Sequence, residues 1–267
     1  MLAAQRQALI LEEVNRLGAV RVIDLAQSLR VSDMTVRRDL DVLADAGQLT
    51  KVHGGATALE GPSSSSLEPT FSTKVTRERA AKEAIAVEAA KLVEPGAAIA
   101  ISGGTTTHAF ARMLIDVPGL TVVTNSLPLA DLLHTEGRDD QTVILTGGIR
   151  TPSDALVGPV AVEAIRRLHV DRVFMGIYGM DERAGFTSPN LLESETNRAL
   201  VDAGRRLVVL ADHTKWGLVG LSAIARLEEA DLLITDSALP EEGRALLRDR
   251  IADVITVDLG TIERETA

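Results

Sequence analysis

A short segment rich in serine, glycine and proline divides the 267-residue chain into two unequal parts. Residues 60–69 read Glu-Gly-Pro-Ser-Ser-Ser-Ser-Leu-Glu-Pro. This composition supplies neither an apolar core nor a continuous helix, because serine, glycine and proline are residues of turns and linkers. We therefore interpret residues 58–74 as a linker between a first domain, residues 1–57, and a second domain, residues 75–260. A long surface loop inside one domain is the alternative interpretation.

The first domain shows apolar residues at helical spacing in three successive segments. The apolar positions are Leu9, Ile10, Val14 and Leu17 in the first segment, Ile23, Leu25, Ala26 and Leu29 in the second, and Val36, Leu40 and Leu43 in the third. Gly18 ends the first predicted helix, Ser32 is a good N-cap for the third, and the third stops near Gly47. Residues 49–52 predict a short strand that reaches Gly54. Three helices with a hairpin-like extension predict an all-α winged helix-turn-helix.

The third predicted helix has the properties of a DNA-recognition helix. Because its apolar stripe faces inward, the polar residues near its start can face outward, and that end of a recognition helix enters the major groove. Hydroxyl groups suit phosphate oxygens, and an arginine can bind either guanine or phosphate. The candidate DNA contacts are Ser32, Thr35, Arg37 and Arg38 on the helix and Lys51 and His53 on the predicted wing. The alternative is an amphipathic helix whose arginines only pair with Asp39 and Asp41.

Three stretches of this first part resemble the DeoR family of bacterial transcriptional regulators. They are residues 21–26, Arg-Val-Ile-Asp-Leu-Ala, residues 31–40, Val-Ser-Asp-Met-Thr-Val-Arg-Arg-Asp-Leu, and residues 51–56, Lys-Val-His-Gly-Gly-Ala. The resemblance extends over the rest of the chain. It implies a regulator of carbohydrate catabolism, with a repressor favoured over an activator. It also implies a C-terminal sugar-phosphate-sensing domain related to ribose-phosphate isomerases and CoA transferases.

The second part alternates short apolar strands with helical patterns. Strands are predicted near residues 97–101, 120–123, 142–145, 171–176, 206–210, 231–234 and 254–257. A helix over residues 80–93 precedes the first of them. Apolar runs without alternation are typical of strands buried on both faces, and their alternation with helices indicates a parallel sheet with crossover helices. We therefore expect an α/β domain, which agrees with the fold that the family resemblance implies.

Three polar turns follow predicted strands in this domain and form a candidate effector site. The turns contain Ser102, Gly103, Gly104, Thr105, Thr106 and Thr107, then Thr124, Asn125 and Ser126, and then Gly147 and Gly148. A glycine-rich turn before a helix presents backbone N–H groups, and the helix dipole favours negative charge. Because loops at the carboxyl ends of parallel strands gather in one crevice, we expect the three turns to converge on a phosphorylated sugar. For any single turn, a plain connection is the alternative.

Lys215 follows the predicted strand at residues 206–210 and is the cation best placed to close this site on an anion. In the family that the chain resembles, this position belongs to an Asp-x-x-Lys motif, which here is Asp212 to Lys215. Trp216 is open to two interpretations, because it could stack on the ligand or cover the pocket as plain core. Glu195 is equally open, as an acceptor for a sugar hydroxyl or as a carboxylate on a helix surface.

Two positions depart from the pattern of the family. Ser102 stands where the family commonly has an aspartate, and Asn197 stands where it often has a lysine. The identity of the effector is therefore less transferable than the fold. Acid–base chemistry of the isomerase kind also becomes less expected, because a carboxylate and a cation are both missing.

The negative charge of the chain belongs to its second part. The formal net charge is −10, but the first 56 residues hold seven basic and seven acidic side chains, so residues 57–267 carry 21 basic and 31 acidic ones. An acidic chain would by itself argue against nucleic acid, whereas a neutral first domain with arginines on one helix does not. We expect double-stranded operator DNA as a partner. A homo-oligomer, dimer or tetramer, is expected because one recognition helix contacts little DNA and dimers read repeated half-sites.

Composition argues against other kinds of chemistry. The absence of cysteine removes disulfides, cysteine-based zinc sites and thiol nucleophiles, and the five histidines lack metal-binding spacing. We expect no cofactor, no metal site and no catalytic residue. The alternative function is a sugar-phosphate isomerase-like enzyme with an appended DNA-binding domain. No segment nears the roughly 18 apolar residues of a membrane span, so we expect a cytoplasmic protein.

Overall fold

The computed structural model describes residues 3–17, 19–29, 31–46, 48–52, 55–57 and 77–259. The chain falls into two compact units that divide between residues 66 and 67. The predicted linker, residues 58–74, lies outside the described residues, and the domain boundaries stay a prediction. The two units are therefore described separately.

The first unit contains three helices and a small antiparallel sheet. Its elements are α1 Ala3–Leu17, β1 Ala19–Arg21, α2 Val22–Leu29, α3 Asp33–Asp45, β2 Thr50–Val52 and β3 Gly55–Thr57. The hairpin of β2 and β3 forms the predicted wing, and β1 pairs with β3 at the other edge. The winged helix-turn-helix is thus present, with β1 as an additional strand. A strand of three residues is too short to show the alternation of apolar and polar side chains by which a strand is predicted from sequence.

One apolar cluster holds the first unit together, and it contains the predicted inward stripe of α3. Val36, Leu40 and Leu43 are buried in it, together with Ile10 from α1 and Leu49 before the wing. Because α3 buries this stripe, its opposite face is left to solvent. The packing therefore fixes which side chains of α3 are available to another molecule.

The second unit is an α/β domain with three groups of strands. Its strands are β4 Ala98–Ile101, β5 Thr121–Thr124, β6 Thr142–Leu145, β7 Ile149–Arg150, β8 Leu156–Val157, β9 Arg172–Gly176, β10 Gly179–Asp181, β11 Gly185–Ser188, β12 Leu207–Leu210, β13 Ser222–Ala225, β14 Leu232–Asp236 and β15 Val254–Val257. Its helices are α4 Arg79–Ala90, α5 Thr105–Arg112, α6 Leu127–Glu136, α7 Pro159–Ile165, α8 Leu191–Ala203 and α9 Glu241–Arg250.

Seven of these strands form one parallel sheet in the order β15-β14-β12-β9-β4-β5-β6. All seven strands predicted from the sequence belong to it. From β4 the chain first adds β5 and β6 on one side of the sheet. It then crosses to the other side of β4, where it adds β9, β12, β14 and β15, so the order reverses between β4 and β9. In open parallel sheets, ligands bind outside the carboxyl ends of the strands at such a point.

The inner strands of the sheet are buried on both faces, as the continuous apolar runs predict, while the edge strands β6 and β15 are partly exposed. Phe174 of β9 packs on one face, where its ring centroid lies 4.4 Å from that of Phe110 in α5. Val173 and Met175, its neighbours in the strand, belong to the apolar cluster on the other face. None of the described helices is long and apolar enough to cross a membrane.

Two small antiparallel arrangements were not predicted from the sequence. Strands β7 and β8 form a two-stranded ladder soon after β6, and β10, β11 and β13 form a three-stranded sheet that starts soon after β9. Their strands have two to four residues, and most contain glycine, serine or a charged residue, so they lack the apolar runs that mark the strands of the parallel sheet. Both arrangements begin just beyond carboxyl ends of the parallel sheet.

Candidate functional site

The start of α3 is organised by two hydroxyl groups. Ser32 is the N-cap, as predicted, and its Oγ accepts a hydrogen bond from the backbone N–H of Thr35 at 3.3 Å. The two hydroxyl oxygens lie 2.9 Å apart. Both residues therefore serve the helix start, while Ser32 is exposed and Thr35 half-buried. Their contact with DNA stays a prediction.

The acidic residues of α3 do not neutralise its arginines. Asp39 is buried and accepts hydrogen bonds from Arg6 of α1, and Asp41 pairs with Lys51 on the wing. The alternative interpretation, in which the arginines only pair with these two aspartates, is therefore wrong. Arg37 and Arg38 are exposed, and neither forms an ion pair with another residue in the described part of the chain.

The wing contributes one described candidate. Lys51 is exposed over 41% of its side chain and reaches Asp41 of α3, so the wing and the recognition helix are joined through it. His53 lies outside the described residues. A lysine that shares an aspartate at the surface remains able to turn to a phosphate, because exposed ion pairs contribute only about 0–1 kcal/mol.

Met34 is a candidate that sequence reasoning missed. It lies in the first turn of α3 and is 69% exposed. An apolar side chain at the groove-facing end of a recognition helix suits the methyl group of thymine. The signal was present, because Met34 falls outside the inward stripe although it is apolar.

In the second unit, the turns after β4 and β5 are brought together by one side chain. Asn125 accepts a hydrogen bond from the backbone N–H of Gly103 at 2.8 Å, and its amide donates to the carbonyl oxygen of Leu156 at 3.2 Å. The turn after β6 joins them, since the N–H of Thr146 donates to the carbonyl oxygen of Thr124 at 3.0 Å. The three predicted turns therefore converge at one edge of the sheet.

The polar side chains after β5 are buried and serve this arrangement. The Thr124 hydroxyl donates to the carbonyl oxygen of Ile101 at 2.7 Å, and the Ser126 hydroxyl accepts from the N–H of Leu129 as the N-cap of α6. Thr124, Asn125 and Ser126 are all at most 2% exposed. Their described partners are protein groups, so these residues shape the crevice, and their contact with an effector stays a prediction.

The glycine-rich turn after β4 lies at the reversal point of the sheet. Ser102 is buried, and its hydroxyl oxygen accepts a hydrogen bond from the N–H of Gly176 at the end of β9, at 3.0 Å. Gly104 precedes α5, and no side chain caps the first turn of that helix. Backbone N–H groups at an uncapped helix start can bind an anion. Thr105 is half-buried, whereas Thr106 and Thr107 are buried in the same turn.

Gly147 and Gly148 have positive φ angles of 71° and 122°. Their structural role differs between the two. A Cβ atom at Gly148 would lie 2.6 Å from the carbonyl oxygen of Val157, so glycine is needed for the close approach to β8. At Gly147 the nearest atom of a non-neighbouring residue would be a methyl group of Val160 at 3.7 Å. These glycines position the turn, and their backbone contact with an effector stays a prediction.

Lys215 ends a 3-10 turn, His213–Lys215, that follows β12. Asp212 caps this turn by accepting from the N–H of Thr214 at 3.1 Å. His213 ties it to the end of β14, because its Nδ1 lies 2.9 Å from Oδ1 of the buried Asp236. Sequence reasoning did not single out His213 and Asp236, although both are polar residues at the carboxyl ends of strands.

Lys82 is the second cation at this place, and sequence reasoning missed it. It lies on α4 and is only 6% exposed. Burial lowers its pKa, while nearby Asp212 raises the pKa and nearby Lys215 lowers it. Lys82 is therefore influenced by the charged residues that follow β12 at the carboxyl edge of the sheet. The available signal was a lysine between Ala81 and Ile85 on the buried side of a helix.

Three other residues have separate positions. Trp216 packs on Gly243 of α9 and on the apolar core, which favours its interpretation as core. Glu195 is exposed and lines a groove of about 580 Å³ on α8, apart from the three turns. The neighbouring Glu193 instead accepts a hydrogen bond from the Ser153 hydroxyl at 2.7 Å.

Within the described part of the chain, no group of three or more His, Asp or Glu side chains could hold a metal ion.

A winged helix-turn-helix followed by a parallel α/β unit is the arrangement of a ligand-responsive DNA-binding regulator. Family models agree with this class. The model of the DeoR-like helix-turn-helix domain matches residues 6–61, and that of the DeoR C-terminal sensor domain matches residues 77–237.

Known proteins similar to the chain are regulators. It is 34% identical over 260 residues to the uncharacterized HTH-type transcriptional regulator YulB of Bacillus subtilis. The match covers 97% of this chain and 98% of that protein. It is 31% identical over 250 residues to the glycerol-3-phosphate regulon repressor of Escherichia coli, with 93% and 97% covered. The chain belongs to the DeoR family, and its relatives are transcriptional regulators and not enzymes.

Solved structures give a weaker match. The match to ribose 5-phosphate isomerase A from Methanocaldococcus jannaschii covers 53% of this chain and 55% of the isomerase chain, with 18% identity and a TM-score of 0.38. That score is too low to support a conclusion about function. The fold class rests instead on the strand order and on the family.

Proposed function

We propose that this regulator represses genes of carbohydrate catabolism by binding operator DNA and that a phosphorylated sugar modulates the binding. The observation that carries the DNA-binding half is the free face of α3, where Arg37 and Arg38 are exposed while Asp39 and Asp41 are engaged elsewhere. In this proposal, Ser32 and Thr35 meet phosphates, and Lys51 and His53 meet the backbone beside the groove.

The effector half of the proposal rests on the carboxyl edge of the parallel sheet. There the uncapped start of α5 and Lys215 offer backbone donors and positive charge to a phosphate, and the turn at Gly103 and Gly104 leads into that helix start. The hydroxyls and glycines of the neighbouring turns would hold the sugar. The relative named as a glycerol-3-phosphate regulon repressor supports a phosphorylated small polyol or sugar as the class of effector.

In this proposal, the protein acts in the cytoplasm as a homo-oligomer. One recognition helix reaches only a few base pairs, so two copies on repeated half-sites supply the specificity that a regulator needs. A reduced, cysteine-free chain without a membrane-spanning helix among its described residues is consistent with that location.

Two measurements on the full-length chain test this function. A thermal-shift screen against a panel of phosphosugars is expected to raise the melting temperature with one member, because a ligand that binds only the native state stabilises it. Footprinting on DNA upstream of its own gene is expected to show protection. No shift with any phosphosugar would contradict the sensing half, and no protected DNA would contradict the repressor half.

A further inference from the structure

Lys82 occupies a position that folding alone does not favour. It lies in the first turn of α4, where a positive charge opposes the helix dipole. Its side chain is almost fully buried, and burial lowers its pKa because the charged amine loses water. A residue that lowers the stability of the fold in two ways indicates a compensating role.

The amine of Lys82 binds the chain just before α4. Its Nζ donates a hydrogen bond to the carbonyl oxygen of Arg77. Glu78, between Arg77 and the helix, has a φ of 48° and a ψ of 42°, the left-handed conformation that a residue with a side chain rarely adopts. Lys82 therefore fastens a strained turn at the first described residues of the second unit.

The same amine lies at the edge of the proposed effector site. Helix α4 ends near the amino edge of the sheet, since Leu92 just beyond it accepts a hydrogen bond from Arg172 at the start of β9, at 2.9 Å. Its first turn consequently lies at the carboxyl edge. Helix α4 packs against β12 and β14, and Lys215 follows the carboxyl end of β12, so the two lysines lie at the same edge of the sheet.

We propose that Lys82 is the residue that couples effector binding to DNA release. A phosphate held by Lys215 also attracts the ammonium of Lys82, and a hydrogen bond between two charged groups is stronger than one to a neutral carbonyl. Lys82 then leaves the carbonyl of Arg77, and the turn at Glu78 is released. This inference rests on the proposed function and adds how the site is read out.

The coupling meets the thermodynamic requirement for an effector. A ligand shifts a two-state equilibrium only through contacts that differ between the states. In the proposal, Lys82 contacts the phosphate in the state in which its amine has left the carbonyl oxygen of Arg77. The turn at Glu78 is then the element that changes between the two states, and it begins the described part of the second unit.

The test compares two lysines of one site that should behave in opposite ways. Lys82→Met keeps the length of the side chain but removes the amine, so it mimics the released turn. Its operator affinity without effector is expected to fall about 5–150-fold, toward that of the wild type saturated with effector, and added phosphosugar should change it less than twofold. Lys215→Ala should retain operator affinity and lose the response. Lys91→Met, an exposed lysine just after α4, is the matched control.

Fluorescence anisotropy with operator DNA gives these affinities for the full-length variants. Wild-type operator affinity in Lys82→Met without effector would overturn the coupling role. A wild-type chain that ignores every phosphosugar would overturn the proposed function as well, so the two failures are distinguishable. If Lys82→Met does not fold, hydrogen exchange of the wild-type amides at residues 78–82 decides. Effector should accelerate that exchange, and unchanged exchange at saturation would overturn the inference.

Discussion

Arg6 of the first helix holds Asp39 of the recognition helix through two hydrogen bonds, with Nε 2.5 Å from Oδ2 and Nη2 3.2 Å from Oδ1. Gln7 adds a third hydrogen bond to the same carboxylate, at 3.0 Å. This aspartate is buried, so its charge is compensated inside the first unit. The neighbouring Arg37 and Arg38 are exposed and form no ion pair with another described residue.

Removing both exposed arginines should strongly weaken operator binding. An arginine that forks onto guanine contributes about 1–3 kcal/mol, so Arg37→Ala with Arg38→Ala is expected to weaken binding roughly 30-fold or more. Gel shifts measure this loss, and the melting temperature should stay that of the wild type. Arg167→Ala, at an exposed ion pair in the second unit, is the control. Unaltered binding of the double variant would refute the assignment of α3.

The Arg6–Asp39 pair should matter for stability and only indirectly for DNA. In Arg6→Ala, the buried carboxylate of Asp39 loses its charged partner, and removing one member of a buried pair is strongly destabilising. The first unit is expected to unfold at lower urea concentration. A double-mutant cycle with Asp39→Asn should show that the two changes are not additive. Additive effects would mean that the two side chains do not interact.

Lys215→Ala should weaken effector binding and leave operator binding unchanged. A hydrogen bond to a charged group contributes about 1.5–3 kcal/mol, so phosphosugar affinity is expected to fall roughly 10–100-fold. Isothermal titration calorimetry measures this affinity. In cells the variant should behave as a super-repressor, which inducing sugar does not relieve. Normal induction of the variant would exclude Lys215 from the site.

Gly148→Ala should destabilise the second unit more than Gly147→Ala. A left-handed φ alone costs about 1–2 kcal/mol for a residue with a side chain, and both positions share that cost. Only at position 148 does the new Cβ atom meet a backbone oxygen, so a total of about 3 kcal/mol is expected there. Urea unfolding of the two variants compares them. Equal losses would show that β8 does not press on this turn.

Helical stripes and apolar runs were predictable from the sequence, whereas the small antiparallel elements were not. The stripe of Val36, Leu40 and Leu43 has a helical period and the seven strands of the parallel sheet are apolar runs, and the structure confirms both. Strand β1 and the antiparallel strands after β6 and β9 are short and show neither pattern clearly. They form because neighbouring parts of the fold offer them partners.

The candidate site was predictable as a set of turns but not as a set of contacts. The turns after β4, β5 and β6 meet because parallel strands end at one edge, which a pattern of strands already implies. That Asn125 and Thr124 face protein groups depends on packing. The proximity of Lys82 to Asp212 joins residues 130 positions apart. Likewise, no local pattern assigns Asp39 to Arg6.

The most direct test of the account is the affinity of the full-length chain for DNA upstream of its own gene, measured by fluorescence anisotropy with and without each phosphosugar of a panel. One phosphosugar is expected to lower this affinity about 5–150-fold, while the corresponding unphosphorylated sugar has no effect. Specific binding that stays the same with every phosphosugar would contradict it.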